Sequence, residues 1–180
     1  MDSIDVATFN VNLLCVGPSN IKVASTIANC GAEVVCLQES NERWESFLCS
    51  RSEIKHIYPT IRFHNHGNPW GGFAVLSKHP IETFEVLPET DPHWYPAGLV
   101  TISIPRVSTS EMVNARRSLQ LLIVHLRAPV EFAPKPYFWG GRANWVGGFF
   151  SERVKKDRLN EMQTFASALR ADLVVIPFPL

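Results

Sequence analysis

Residues 33–40, EVVCLQES, form a short apolar run that ends on a carboxamide, Gln38, and a carboxylate, Glu39. Upstream, residues 6–12 (VATFNVN) make a second strand-like run, which closes on Asn10 and Asn12 instead of continuing apolar. Between the two, Ile21, Val23, Ala24, Ile27 and Ala28 supply the apolar positions of a helix over residues 20–30. Ser19 is its expected N-cap, and Gly31 stands where a helix commonly stops. Strand, helix, strand, with polar groups at both strand ends, is how open α/β folds build a site beyond the carboxyl edge of a sheet. A carboxylate at such an end suits a hard metal ion.

The chain of 180 residues fits one domain with room for a real core, and a hydrophobic share of 46% argues against disorder. Lysine plus arginine balance aspartate plus glutamate at 17 each. No overall basic field therefore recruits nucleic acid, which counts against a pure nucleic-acid-binding module. The start, MDSIDVATF, lacks the basic segment and apolar core of a secretory signal, and no apolar run reaches the length of a membrane span. An intracellular location, cytoplasmic or nuclear, is the expectation. Cys15, Cys30, Cys36 and Cys49 show no paired CxxC spacing and read as buried thiols of a reducing compartment.

The rest of the chain is mixed α/β. Trp44, Phe47 and Leu48 make one apolar side of a helix over 42–49. Residues 58–63 alternate weakly, and 73–77 read as a better strand, entered through Gly71 and Gly72. Residues 81–87 are expected to pair with 73–77 as a hairpin, because Lys78, His79 and Pro80 make a short connection. Residues 99–104 alternate cleanly, 119–126 (LQLLIVHL) are the most apolar strand, and 172–176 begin another. The strongest helix lies over 151–169, where Val154, Leu159, Met162, Phe165, Ala166 and Leu169 recur at helical spacing. Residues 128–150 lack periodicity and hold Tyr137, Phe138, Trp139, Trp145, Phe149 and Phe150 among glycines, the makings of a recognition loop or of an insertion whose rings pack on its own domain.

Five blocks occur in a distinctive order: TFNVN, VVCLQES, GGFAVLSKHPI, LLIVHL and RLNEMQTFASAL. That order resembles the endonuclease/exonuclease/phosphatase superfamily, the group sharing the DNase I-like fold. The resemblance implies a four-layer α/β sandwich with two mixed β-sheets, and a metal-dependent hydrolase of phosphate esters (phosphodiesterase, nuclease or phosphatase). The cofactor it implies is Mg²⁺, with Mn²⁺ as a substitute. The substrate is a phosphate ester of a nucleic acid, phospholipid or nucleotide, a choice left open.

Carried onto this sequence, the resemblance makes Glu39 the metal-binding glutamate. It makes Asn10 the asparagine that hydrogen-bonds a phosphate oxygen or holds another site residue. His125 is then the histidine near the scissile phosphate, exchanging a proton or stabilising an oxyanion. Read without the resemblance, the same residues are a solvated strand-end carboxylate, a turn-closing amide and a histidine at the rim of the core. Asn12 stands where some branches place a metal-ligating aspartate, and a neutral amide is a poorer ligand, which speaks against the apurinic-endonuclease branch.

After a helix such as 151–169 the family runs a strand into a glycine-aspartate-phenylalanine-asparagine motif. Here residues 172–176 lead into Pro177, Phe178, Pro179 and Leu180 instead. Residues 1–180 are accordingly expected to be a partial domain, the N-terminal two-thirds of the fold, incomplete at the C-terminus. The polypeptide is expected to be inactive or impaired, because cooperative sites lose orders of magnitude in rate when one member is removed. The alternative is a non-catalytic regulatory or interaction fragment of the same fold, with a partner covering the exposed sheet.

Overall fold

The computed structural model describes residues 3–14, 18–65, 71–87, 95–105, 116–126 and 152–167. Expectations for Cys15, for the aromatic segment 128–150 and for the strand at 172–176 lie outside them. The chain opens with strand β1 (Val6–Asn10), helix α1 (Pro18–Asn29) and strand β2 (Val34–Ser40), and β1 and β2 run parallel. This is the strand–helix–strand unit read from the sequence. The helix starts two residues earlier than expected: Pro18, whose fixed φ suits the first turn, is already helical, so Ser19 lies inside the helix and is not its N-cap. Gly31, at φ +79, turns the chain out of the helix.

Two short helices follow, α2 (Glu42–Ser50) and α3 (Ser52–Ile57), the second without a counterpart in the sequence reading. Asn41 caps α2, its side-chain oxygen accepting from the N–H groups of Arg43 (3.1 Å) and Trp44 (3.0 Å). Strands β3 (Thr60–His64) and β4 (Gly72–Ser77) complete a sheet of order β1-β2-β4-β3. A second, antiparallel sheet has order β5-β6-β7, from β5 (Ile81–Val86), β6 (Gly98–Pro105) and β7 (Arg116–Ile123). Helix α4 (Glu152–Ser167) is the last described element.

The expected β4–β5 hairpin does not form. β4 pairs with β2 and β3, whereas β5 pairs with β6 in the other sheet. The short Lys78–His79–Pro80 segment is a crossing between layers, not a turn within one. The Lys78 N–H still donates to the Glu33 carbonyl of the first sheet, while the Pro80 carbonyl accepts from Ser103 of the second, each at 2.9 Å.

β2 is buried on both sides, so its alternation serves two cores. Val35 and Leu37 face a cluster with Ile27 of α1, Trp44 and Leu48 of α2, and Ile54 of α3. Val34 and Cys36 face the opposite way, into a cluster with Val75, Val100, Ile102 and Leu121 between the sheets. Each large apolar side chain withdrawn from water there contributes roughly 1.5–3 kcal/mol before entropic costs. Of the thiols expected to be buried, Cys36 is, but Cys30 is exposed and Cys49 half-buried; all three are free.

The stripe read along α4 also needs correction. Phe165 is buried, but Leu159 is 57% exposed, and the buried face includes the carboxylate of Glu161 at 1% exposure. Among the described residues no helix is long and apolar enough to cross a membrane.

Candidate active site

β1 and β2 point their carboxyl ends the same way, in register from Val6↔Val34 to Asn10↔Gln38, so Asn10 arrives beside the end of β2. Beyond Asn10 the chain turns sharply. The Asn10 side-chain oxygen accepts the Asn12 N–H at 3.0 Å, and the Asn12 side-chain oxygen accepts the Leu14 N–H at 3.0 Å. Asn12 sits at φ +57, a conformation its short amide tolerates. The turn is pinned from α2 by the Trp44 indole, which donates to the Asn12 carbonyl at 3.2 Å. With its oxygen committed to the turn, the Asn10 amide presents its NH₂ group to Glu39 and donates to Oε1 at 2.8 Å.

Glu39 has unusual backbone geometry. The register with β4 shifts between Gln38 (opposite Phe73) and Ser40 (opposite Gly72), and Glu39 fills the extra place. It does so at φ +56, the left-handed region that a side chain with a Cβ seldom adopts. The bulge breaks the in–out alternation of β2 and frees the Glu39 carboxylate from both cores; it is 20% exposed. Gln38 and Ser40 on either side are buried. The Gln38 amide nitrogen donates to the Thr8 hydroxyl at 2.9 Å, while Gln38 Oε1 and Ser40 Oγ have no hydrogen-bond partner among the described residues.

His125 comes from the second sheet, two residues past β7, and places Nε2 3.7 Å from Glu39 Oε1. That separation is beyond a direct hydrogen bond. Burial pulls the His125 pKa below the usual histidine range, and the Glu39 charge opposes this less strongly. The imidazole therefore stays neutral at neutral pH, with Nδ1 buried and without a hydrogen-bond partner among the described residues. Asn10, Glu39 and His125, read from three distant blocks of sequence, meet at one lip of the molecule.

Two further groups join them that the sequence reading missed. Tyr95, just before β6, lays its ring on that of His125 with centroids 3.7 Å apart and 30° between planes. Burial raises its phenol pKa, and the carboxylates of Glu39 and Glu161 raise it further. Because β6 pairs antiparallel with β7 (Gly98↔Ile123), a residue shortly before β6 falls beside one shortly after β7. That register is invisible in the sequence. Glu161 left a faint trace: an acid four residues before Phe165, on the face that the helix buries.

A partly exposed carboxylate with a held oxygen is a donor of the kind Mg²⁺ or Mn²⁺ takes, so the group present fits a hard divalent cation. Among the described residues, no cluster of three or more His, Cys, Asp or Glu side chains forms a fuller cage.

A family model described as the Endonuclease/Exonuclease/phosphatase family matches residues 7–148. No curated protein matches the chain. Among solved structures, TDP2 from C. elegans is 15% identical with a TM-score of 0.59, over 96% of this chain and 45% of that one. TDP2 from D. rerio, complexed with single strand DNA product, is 13% identical with a TM-score of 0.51, over 96% of this chain and 58% of that one. An endonuclease/exonuclease/phosphatase from Beutenbergia cavernae is 15% identical with a TM-score of 0.53, over 96% of this chain and 45% of that one. At such identities the likeness establishes the fold, and this chain spans 45% to 58% of the length of these three structures.

Proposed function

The chain belongs to the Endonuclease/Exonuclease/phosphatase family, and from that premise we propose that its site hydrolyses phosphodiesters of nucleic acid with a divalent cation, Mg²⁺ or Mn²⁺. The observation that carries this reading is the meeting of Asn10, Glu39 and His125, with Glu39 lifted out of the strand by a left-handed bulge. A phosphodiester repels nucleophiles by its own charge, so a hydrolytic site must offset that charge and manage a proton.

Glu39 holds the cation, which when bound supplies positive charge against the phosphate oxygens. Asn10 holds Glu39, through its 2.8 Å hydrogen bond. An amide carries two N–H donors, and the second serves a phosphate oxygen. His125, kept neutral by burial, exchanges a proton at Nε2, the nitrogen facing Glu39. Tyr95 holds the imidazole by laying its own ring against it.

Nucleic acid is preferred over lipid or nucleotide because the D. rerio TDP2 structure, which is similar in fold, is a complex with single strand DNA product. The 180 residues taken alone turn over weakly or not at all in this reading. Glu39 provides one carboxylate, where Mg²⁺ takes several oxygen ligands. A non-catalytic, regulatory role of the same fold is the limiting case of that weakness.

The test is release of product from a single-stranded DNA oligonucleotide, with Mn²⁺ and Mg²⁺, by the natural chain and by Glu39→Ala. Cation-dependent turnover that vanishes in Glu39→Ala supports the reading, and turnover that survives the substitution overturns it. Below detectable turnover, paramagnetic broadening by Mn²⁺ centred on residue 39 decides in the same way.

A further inference from the structure

The geometry assigns Gly71 as a positioning residue for Glu39: its bare Cα lets β4 close against the bulge and so fixes where the carboxylate points. This deepens the proposed function, resting on Glu39 as the cation-holding group.

Gly71 lies just before β4, at φ +77. A Cβ built on it would stand 2.9 Å from the Ser40 carbonyl oxygen, and 3.1 Å from both the carbonyl carbon and the Cα of Glu39. All three are backbone atoms. A flexible side chain would swing away from such a contact, but these can retreat only by moving the bulge. The neighbouring pairs resist that retreat: Gly72 faces Ser40 and Phe73 faces Gln38 in the β2–β4 register, and Val11 N–H donates to the Gln38 carbonyl at 3.0 Å. A methyl group at position 71 therefore displaces Glu39 relative to Asn10, because Asn10 is held separately by its own turn.

Gly31 is a built-in control. Its φ of +79 is nearly that of Gly71, yet a Cβ there would meet nothing within 4 Å. Gly31→Ala and Gly71→Ala carry the same left-handed backbone penalty, and only the second presses on Glu39. Gly71→Asn separates the two effects further, since asparagine tolerates the backbone conformation while keeping the Cβ.

The experiment compares these three variants by two readouts. The first is Mn²⁺ affinity. The second is the NMR position of the Asn10 side-chain amide, which reports its hydrogen bond to Glu39 without any metal. Gly71→Ala and Gly71→Asn are expected to weaken Mn²⁺ binding about tenfold, the scale on which groups that orient a metal ligand act. They are also expected to shift the Asn10 amide signals, and Gly31→Ala to do neither.

An unmoved Asn10 amide in the Gly71 variants overturns the assignment, as does an equal effect of Gly31→Ala. Failure of both Gly71 variants to fold would also overturn it, by making the glycine a requirement of the fold. If the amide moves but the natural chain binds no Mn²⁺, the cation reading of Glu39 fails while the positioning role stands.

Discussion

A glutamate stands beside a histidine at each end of β2, Glu33 just before its first residue and Glu39 next to its last, and the two pairs are built in opposite ways. At the amino end, Glu33 is bonded through its carboxylate, its N–H and its carbonyl. Its carboxylate meets His79 Nε2 at 3.0 Å, its N–H donates to Asp5 at 2.8 Å, and its carbonyl accepts from Lys78 at 2.9 Å. Nearby, the Lys78 ammonium closes on the Gly31 carbonyl at 3.0 Å. At the carboxyl end, Glu39 sits in a left-handed bulge, its histidine stands off at 3.7 Å, and buried polar atoms of Gln38, Ser40 and His125 have no hydrogen-bond partner among the described residues. The same residue types thus make a fastener at one end and a strained, under-bonded lip at the other. A left-handed residue of this kind costs on the order of 1–3 kcal/mol, and here it goes with the carboxylate that stands clear of both cores.

The strand between the two ends should be inert, and Cys36 tests that with the largest expected effect. Burial pushes its thiol pKa from an ordinary 9.0 up to about 12. At pH 8 a group with that pKa is thiolate in about one molecule in ten thousand, and the thiolate is the reactive form. Mass mapping after a brief thiol-reagent pulse should find Cys30 modified and Cys36 untouched until the protein unfolds. The shift also fixes a sign for stability. The unfolded chain releases the Cys36 proton first, so stability present below pH 9 declines as pH rises toward 12. Cys36→Ala should flatten that decline in urea titrations.

Alanine at each glutamate separates the ends next. Glu39→Ala should weaken Mn²⁺ binding at least about 100-fold, the upper limit for merely outer-shell groups. Glu33→Ala should leave Mn²⁺ affinity unchanged and cost at most about 1 kcal/mol of stability, as partly exposed pairs do. Equal effects would erase the distinction drawn here. Glycine sharpens it: Glu39→Gly relieves a left-handed backbone worth about 1–2 kcal/mol, whereas Glu33→Gly relieves nothing and adds chain entropy to the unfolded state. In urea denaturation Glu39→Gly should come out the more stable of the two by roughly 1 kcal/mol.

Much of this architecture was legible in the chain. The β1–α1–β2 unit followed from apolar periodicity, and Glu39 at the end of β2 followed from where that run turned polar. What stayed hidden depended on partners distant in sequence. Lys78–Pro80 looked like a hairpin turn because a short proline-containing link gives no sign that the strands on either side belong to different sheets. The left-handed state of Glu39 left no mark because neither glycine nor asparagine occupies the position. Glu161 was masked by the apolar residues around it, since a periodic stripe is read by its majority.

Tyr95 was hidden for the same reason of register, and it makes the smallest and most discriminating test of the lip. Its ring lies parallel enough to His125, at 3.7 Å between centroids, to act as a wall for the imidazole. Aromatic pairs of this kind contribute about 0.5–1.5 kcal/mol beyond the area they bury. Tyr95→Leu should therefore lose about 1 kcal/mol in urea denaturation, and Tyr95→Phe, which keeps the ring, should recover most of it. The His125 ring protons, displaced by the tyrosine ring current, should return toward ordinary shifts in Tyr95→Leu alone. At the other end of β2, His79 is held by a hydrogen bond to Glu33, and its ring protons should be indifferent to both substitutions. If His125 keeps its shifted signals in Tyr95→Leu, the imidazole is placed by the strand that carries it, and the wall is incidental.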